Sequence, residues 1–135
     1  MNLSICIITK NEEQNIDRCL KALAPYGLET IVVDTGSTDR TKQIAARYTD
    51  RLYDFPWCDD FSAAKNFAIE KASHSYVLVL DSDEFVEQLD LSALEKQIAA
   101  HPGAVGRIRR RNVFHRNGEE QENREWICLL YTSDA

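Results

Sequence analysis

The stretch Tyr76-Val77-Leu78-Val79-Leu80-Asp81-Ser82-Asp83-Glu84 decides how this chain is read, because an apolar run drives straight into a cluster of carboxylates. Apolar residues without alternation indicate a strand buried on both faces, as in a parallel sheet. In open α/β sheets, ligands bind in the crevice beyond the carboxyl ends of such strands. Asp81 and Asp83 are two apart, so continued strand geometry would send both side chains to one side. Like charges placed that way repel, and become favourable when a hard divalent cation lies between them and a phosphate. A helix N-cap would account for one of the carboxylates, but poorly for Asp81, Asp83 and Glu84 together. The stretch therefore indicates metal-assisted chemistry on a phosphorylated ligand.

Upstream, strand and helix patterns alternate. Leu3 to Thr9 is an apolar strand. Lys10-Asn11-Glu12-Glu13 breaks it and opens a helix, with Asn11 as N-cap and both glutamates in the first turn. Ile16, Leu20 and Leu23 give that helix a buried stripe, and Pro25 and Gly27 end it. Thr30 to Val33 is a second strand, closing in Asp34. Thr35-Gly36-Ser37-Thr38-Asp39 forms a turn-and-cap cluster, followed by a helix carrying Thr41, Ile44, Ala45 and Tyr48 on one face. Arg51 to Tyr53 is a short third strand. A helix starting at Asp60 or Ser62 presents a stripe of Phe61, Ala64, Ala68 and Ala72. Such alternation implies a parallel sheet with helices on its faces. It also brings Thr9, Asp34 and Asp81 to one edge of that sheet. Beyond Glu84, Leu91, Leu94 and Ile98 indicate a short helix stopped by His101-Pro102-Gly103. Ala104 to Arg116 then reads as a strand diluted by Arg107, Arg109, Arg110 and Arg111.

Composition narrows the class of partner. The 135 residues carry a formal net charge of −6, which disfavours a nucleic-acid backbone as partner. No apolar run approaches the roughly 18 residues of a membrane span, although peripheral association with a membrane stays open. Met1-Asn2-Leu3-Ser4 leads directly into a strand and leaves no room for a signal peptide. Cys6, Cys19, Cys58 and Cys128 are scattered without a Cys-x-x-Cys pair, so neither a zinc site nor a disulfide framework is expected. Cys6 and Cys19 read as small core residues. A reducing cytoplasm fits, including the cytoplasmic face of a membrane.

Other segments allow a functional and a structural reading. No Gly-x-Gly-x-x-Gly fingerprint and no Gly-x-x-x-x-Gly-Lys-[Ser/Thr] loop is present. Asp34 at a strand end can bond a base edge or a ribose hydroxyl, or close an Asx-type turn. Lys65, one turn inside its helix, can meet a diphosphate or pair with Asp59 or Asp60. The arginines at 107, 109, 110, 111 and 116 can form a solvated face or help hold an anion.

Taken together, Ile7-Ile8-Thr9-Lys10-Asn11-Glu12-Glu13, Val33-Asp34-Thr35-Gly36-Ser37-Thr38-Asp39-Arg40-Thr41, Ala63-Ala64-Lys65-Asn66 and Leu80-Asp81-Ser82-Asp83-Glu84 resemble the donor-binding half of a family 2 glycosyltransferase. The likeness covers residues 3 to about 87, in the family's order and spacing. Phe55-x-Trp57 with Asp60-Phe61 is similar to the branch acting on lipopolysaccharide cores and related surface glycans. The resemblance implies an α/β fold of the GT-A, Rossmann-like kind, with a mostly parallel sheet flanked by helices and incomplete at the C-terminus. It implies sugar transfer with inversion from a nucleotide-diphospho-sugar, usually UDP-linked, to a glycan or lipid-linked acceptor, assisted by Mg²⁺ or Mn²⁺. Thr9, Asn11 and Glu12 would line the nucleoside pocket and Asp34 would meet the base. Lys65 stands where the family often has Arg, keeping the charge but losing the planar fork. Asp81 would face the ribose or the metal, and Asp83 would be the main metal ligand.

The family's catalytic base lies in the second half, and no motif for it can be matched. Glu119, Glu120, Glu122 and Glu125 are available, but none lies in a family-like motif. The expected organisation is a partial nucleotide-sugar-binding domain over 1–127, followed by a tail, 128–135, resembling a translated adapter and set aside from the fold. One alternative is a nucleotide-sugar-binding fragment without turnover. Another is a haloacid-dehalogenase-type phosphatase, which also runs an apolar strand into Asp-x-Asp. That pattern wants Thr or Val where this chain has Phe85, and normally uses the first strand.

Overall fold

The computed structural model describes residues 3–87, 89–101, 106–116 and 118–131. The elements run β1 (Leu3–Thr9), α1 (Ile16–Leu23), β2 (Glu29–Asp34), α2 (Thr41–Ala45), β3 (Leu52–Asp54), α3 (Phe61–Lys71), β4 (Tyr76–Asp81), α4 (Leu91–Ala100), β5 (Gly106–Arg116) and β6 (Glu119–Tyr131). They build one sheet in the order β3-β2-β1-β4-β6-β5. The first four strands of that order are parallel, and β6 joins β4 antiparallel. This is the α/β, mostly parallel architecture that the alternating pattern implies.

The core lies on both faces of the parallel strands, and the two-residue period of a strand assigns each side chain to a face. Leu3, Ile5 and Ile7 join Leu78 and Leu80 under α1, where they meet Ile16, Cys19, Leu20 and Leu23. Cys6, Ile8, Ile31, Val33 and Val77 form the other face, covered by Ala64 and Ala68 of α3. The small alanines let that helix lie close to the sheet. Phe61, expected in the same stripe, is 48% exposed instead. It is the first residue of α3, a turn ahead of the alanines that make the contact. Cys6 and Cys19 are buried core residues, as their patterns indicate, and burial pushes both thiols up to about 12. Among the described residues, no helix is long and apolar enough to cross a membrane.

Three local departures have identifiable causes. Helix α1 begins at Ile16 after Asn15, not at Asn11. Asn11 takes a left-handed conformation (φ 52°) and, with Glu12 and Glu13, bonds across to the loop after β2. Those tertiary bonds hold the three residues outside the helix. Second, α2 ends at Ala45, so Tyr48 lies beyond it, where its hydroxyl bonds to Asp17. Third, β5 and β6 form a hairpin with Arg116 opposite Glu119. Gly118 has φ 77° in the two-residue connection. The Asn117-Gly118 dipeptide is a strong hairpin signal. At its other end β6 pairs Leu129, Leu130 and Tyr131 with Leu78, Val77 and Tyr76. Residues 132–135 of the stretch set aside as a tail lie outside the described residues.

At the amino ends of the parallel strands, Glu29 ties β1 and β2 to the connection before β4. Its carboxylate accepts from Ser4 Oγ (2.8 Å), Ser73 N–H (2.7 Å) and the Arg51 guanidinium (3.2 Å). Burial opposes its ionisation, but the Ser73 and Ser4 bonds and the Arg51 charge outweigh it and hold the group below its ordinary 4.5. A depressed carboxyl stabilises the fold above its unfolded-state value, and that contribution is lost as pH falls through the folded value. Glu29→Gln should therefore cost about 1–2 kcal/mol at neutral pH. Urea titrations should show the gap to wild type closing on acidification; a gap independent of pH would refute the ionic role.

Candidate functional site

The parallel register sets the ends of four strands side by side. Thr9 pairs with Asp34, Ile8 with Asp81, and Asp34 with Asp54. Thr9, Asp34 and Asp81, distant in sequence, thus gather along one edge, as the topology requires.

Asp34 does two things at once. Its Oδ1 accepts from the N–H groups of Gly36 (2.9 Å) and Ser37 (2.8 Å), closing an Asx-type turn. Gly36 lies at φ 123°, a conformation that side-chain-bearing residues rarely adopt. Asp34 is only 2% exposed, yet its Oδ2 is buried with no hydrogen-bond partner. The Oγ1 of Thr9, its register partner, is likewise buried and unpartnered. Orphaned buried polar atoms are rare, and each calls for a cause. Two of the three such atoms among the described residues lie on neighbouring strands, at the edge where α/β sheets take ligands; the third is Arg51 Nε.

The loops after β1 and β2 are bonded to one another. Asn11 N–H donates to Ser37 Oγ (2.9 Å), Glu12 N–H to Thr41 Oγ1 (2.8 Å) and Glu13 N–H to Asp39 Oδ2 (3.3 Å). In return, Thr38 N–H donates to Asn11 Oδ1 (2.8 Å) and Arg40 N–H to Glu13 Oε2 (3.2 Å). The Thr41 hydroxyl bond, aided by the Thr41 N–H, holds Asp39 below the usual carboxylate range against its own desolvation. The Glu12 carboxylate accepts from Asn15 (2.8 Å). The side chains of Asn11 and Glu12 thus spend hydrogen bonds on the framework beside Thr9 and Asp34. Sequence reasoning saw the Ser, Thr and Asp cluster as a cap, but not this partnership, which spans 26 to 29 residues.

The acidic stretch after β4 does not continue as a strand. Glu84 N–H donates to the Asp81 carbonyl (3.0 Å) and closes a turn, while Asp81 N–H donates to Glu84 Oε1 (2.9 Å). Strand alternation therefore stops at Asp81, and the expected same-side geometry of Asp81 and Asp83 has no strand to rest on. The turn still leaves both residues exposed and buries Ser82 between them. Asp83 makes no hydrogen bond or ion pair among the described residues. The donor set is carboxylate oxygen, and no group of three or more His, Cys, Asp or Glu able to hold a metal occurs among the described residues. Such a set fits a hard cation that completes its shell with phosphate and water oxygens.

Lys65 lies half-buried in the second turn of α3. It makes no ion pair among the described residues, because its expected partners are engaged elsewhere. Asp59 accepts from the Trp57 indole (2.9 Å), and Asp60 caps α3 through Ala63 N–H (3.2 Å). The salt bridge at this edge joins Lys42 to Asp54 (2.8 Å), and the Asp54 hydrogen bond and charge raise the ammonium above its ordinary value. The arginines of β5 are placed by backbone register on an edge strand.

The family model for glycosyl transferase family 2 matches residues 4–133. The lipopolysaccharide core biosynthesis glycosyltransferase LpsC of Rhizobium meliloti is 32% identical over 127 residues, covering 90% of this chain and 46% of that protein. Among solved structures, residues 1–349 of S. aureus TarS in complex with UDP superpose with a TM-score of 0.64 at 29% identity, covering 78% of this chain and 34% of that one. Glucosyl-3-phosphoglycerate synthase from Mycobacterium tuberculosis, in complex with Mn²⁺ and UDP-glucose, gives 0.55 at 26% identity, covering 62% and 33%. The chain spans less than half the length of the curated relatives it matches.

Proposed function

The chain belongs to glycosyl transferase family 2, and on that premise we propose that it forms the donor side of a cytoplasmic glycosyltransferase using a UDP-linked sugar. The observation that carries this reading is the pair of orphaned oxygens, Asp34 Oδ2 and Thr9 Oγ1, at adjacent register positions. The imide N–H of uracil is a donor suited to a carboxylate oxygen that lacks one. The complexes of TarS with UDP and of the mycobacterial synthase with UDP-glucose support the same nucleotide.

In this reading Asp34 takes the base edge and Thr9 the adjoining nucleoside polar atoms. Asn11 and Glu12 shape the pocket chiefly through the bonded loops. Lys65 supplies a cation toward the diphosphate. Asp83 is the main protein ligand of Mg²⁺ or Mn²⁺, with Asp81 on the ribose side or shared with the ion. When bound, the ion supplies charge neutralisation for the departing nucleoside diphosphate. The acceptor is a glycan or a lipid-linked molecule, and the transfer inverts the anomeric carbon; the carboxylate base that such a transfer needs is assigned to no residue of this chain. Calorimetric titration of the full chain with UDP, with and without Mn²⁺, tests the donor reading. Saturable UDP binding that tightens with Mn²⁺ is expected; no UDP binding in either condition would overturn it.

A further inference from the structure

The acidic turn after β4 is fastened from behind by α1, and two neighbouring residues of that helix meet its two ends. The Cys19 thiol reaches the Asp81 carbonyl (4.0 Å), where the turn opens. The Arg18 guanidinium lies over the Phe85 ring, 4.6 Å from its centroid, directly after Glu84 closes the turn. Beyond Phe85, Val86 packs against the core cluster that holds Ile16, Cys19, Leu20 and Leu23. Leu89 N–H then donates to the Tyr26 hydroxyl (3.2 Å).

Phe85 is 43% exposed and Arg18 is exposed as well, so their contact lies outside the core. A ring left largely at the surface gains little from burial, and the cation over its face supplies an attraction of its own. Arg18 also stands among the charges of the turn. Burial raises the Cys19 thiol first, the charges of Glu84, Asp83 and Asp81 raise it further, and the charge of Arg18 opposes them. By charge alone, an arginine there should weaken a neighbouring cation site. By holding Phe85 it should strengthen one. The two effects have opposite signs, which makes the role measurable.

We propose that Arg18 is a positioning residue for the acidic turn, clamping Phe85 so that Asp83 is already presented to a bound cation; the inference rests on the donor reading given above. Asp83 has no hydrogen bond of its own among the described residues to hold it, and Phe85 lies two residues further along, outside any helix or strand. The clamp fixes the far side of the turn, as Cys19 and the end of β4 fix the near side. A ligand set held this way binds more tightly, because the turn need not be ordered when the ion arrives.

The test is calorimetry on the full chain, reading the ratio of UDP affinities with and without Mn²⁺. Arg18→Ala should lower that ratio about two- to fivefold, the worth of an exposed cation–π contact. Arg18→Lys keeps a cation for the ring and should restore most of the ratio. In a Phe85→Leu background, which lacks the ring, Arg18→Ala should lower it no further. An unchanged or raised ratio in Arg18→Ala would overturn the proposal: the first marks a structural role only, the second plain charge repulsion. Failure of Arg18→Lys to restore the ratio would overturn it too. So would a further loss in the Phe85→Leu background, since Arg18 would then act on the ligand directly. Absence of UDP binding, or of any Mn²⁺ response, in the wild-type chain would instead overturn the donor or the metal reading, and this proposal with it.

Discussion

Asp83→Ala should abolish the metal-dependent part of UDP binding while leaving the fold intact. Asp83 is exposed and bonds to nothing else among the described residues. Its removal should therefore change stability by less than about 0.5 kcal/mol. Without Asp83, a cation would lose the main protein ligand proposed for it. Supporting groups around metal sites already cost about 10–100-fold when removed, and a direct ligand should cost at least as much. Wild type should bind UDP more tightly as Mn²⁺ is added, and the variant should bind equally with or without it. If the variant keeps the Mn²⁺ response, the ion is held elsewhere, and Asp81 with Glu84 becomes the next carboxylate pair to test.

The second large effect belongs to Asp34→Asn. This substitution can keep the turn, because one side-chain oxygen still accepts from Gly36 and Ser37. It replaces the buried, unpartnered Oδ2 with an NH₂ donor. Facing the imide N–H of uracil, two donors would meet with no acceptor between them. The expected loss in UDP affinity is about 2–4 kcal/mol, a factor of roughly 30–1,000. Cytosine presents an acceptor at the same ring position, so the preference for UDP over CDP should shrink or reverse. Parallel titrations with the two nucleotides measure this. Equal losses for both would show that Asp34 acts through the loop alone and does not read the base.

The two substitutions also separate what could be seen in advance. Asp83 stands out in the sequence because capping and packing account poorly for three carboxylates at the end of a strand buried on both faces, and its role as a metal ligand remains a proposal. Asp34 was only half legible: its position after Val32-Val33 was clear, but the same residue could close a turn or meet a ligand. The structure shows one oxygen closing the turn and the other left over, a division that depends on where Gly36, Ser37 and Thr9 come to rest. Lys65 was similarly open between a ligand role and an ion pair with Asp59 or Asp60. Those aspartates find closer partners in Trp57 and in the start of α3, which leaves the ammonium without a bridge among the described residues.

Sequence by itself determined the order of the parallel strands' elements, the two-faced burial of β1, β2 and β4, and the edge on which Thr9, Asp34 and Asp81 collect. These follow from local periodicity and from the rule that parallel strands need covered crossovers, so short-range information suffices. Only the tertiary structure decided that Asn11, Glu12 and Glu13 leave their helix to bond the next loop, that β6 enters between β4 and β5, and that Trp57 stands exposed with its backbone N–H on the Thr35 carbonyl. Each depends on bonds between groups far apart in the chain, and their energies outweigh local helix and capping preferences that are individually worth about 1 kcal/mol or less.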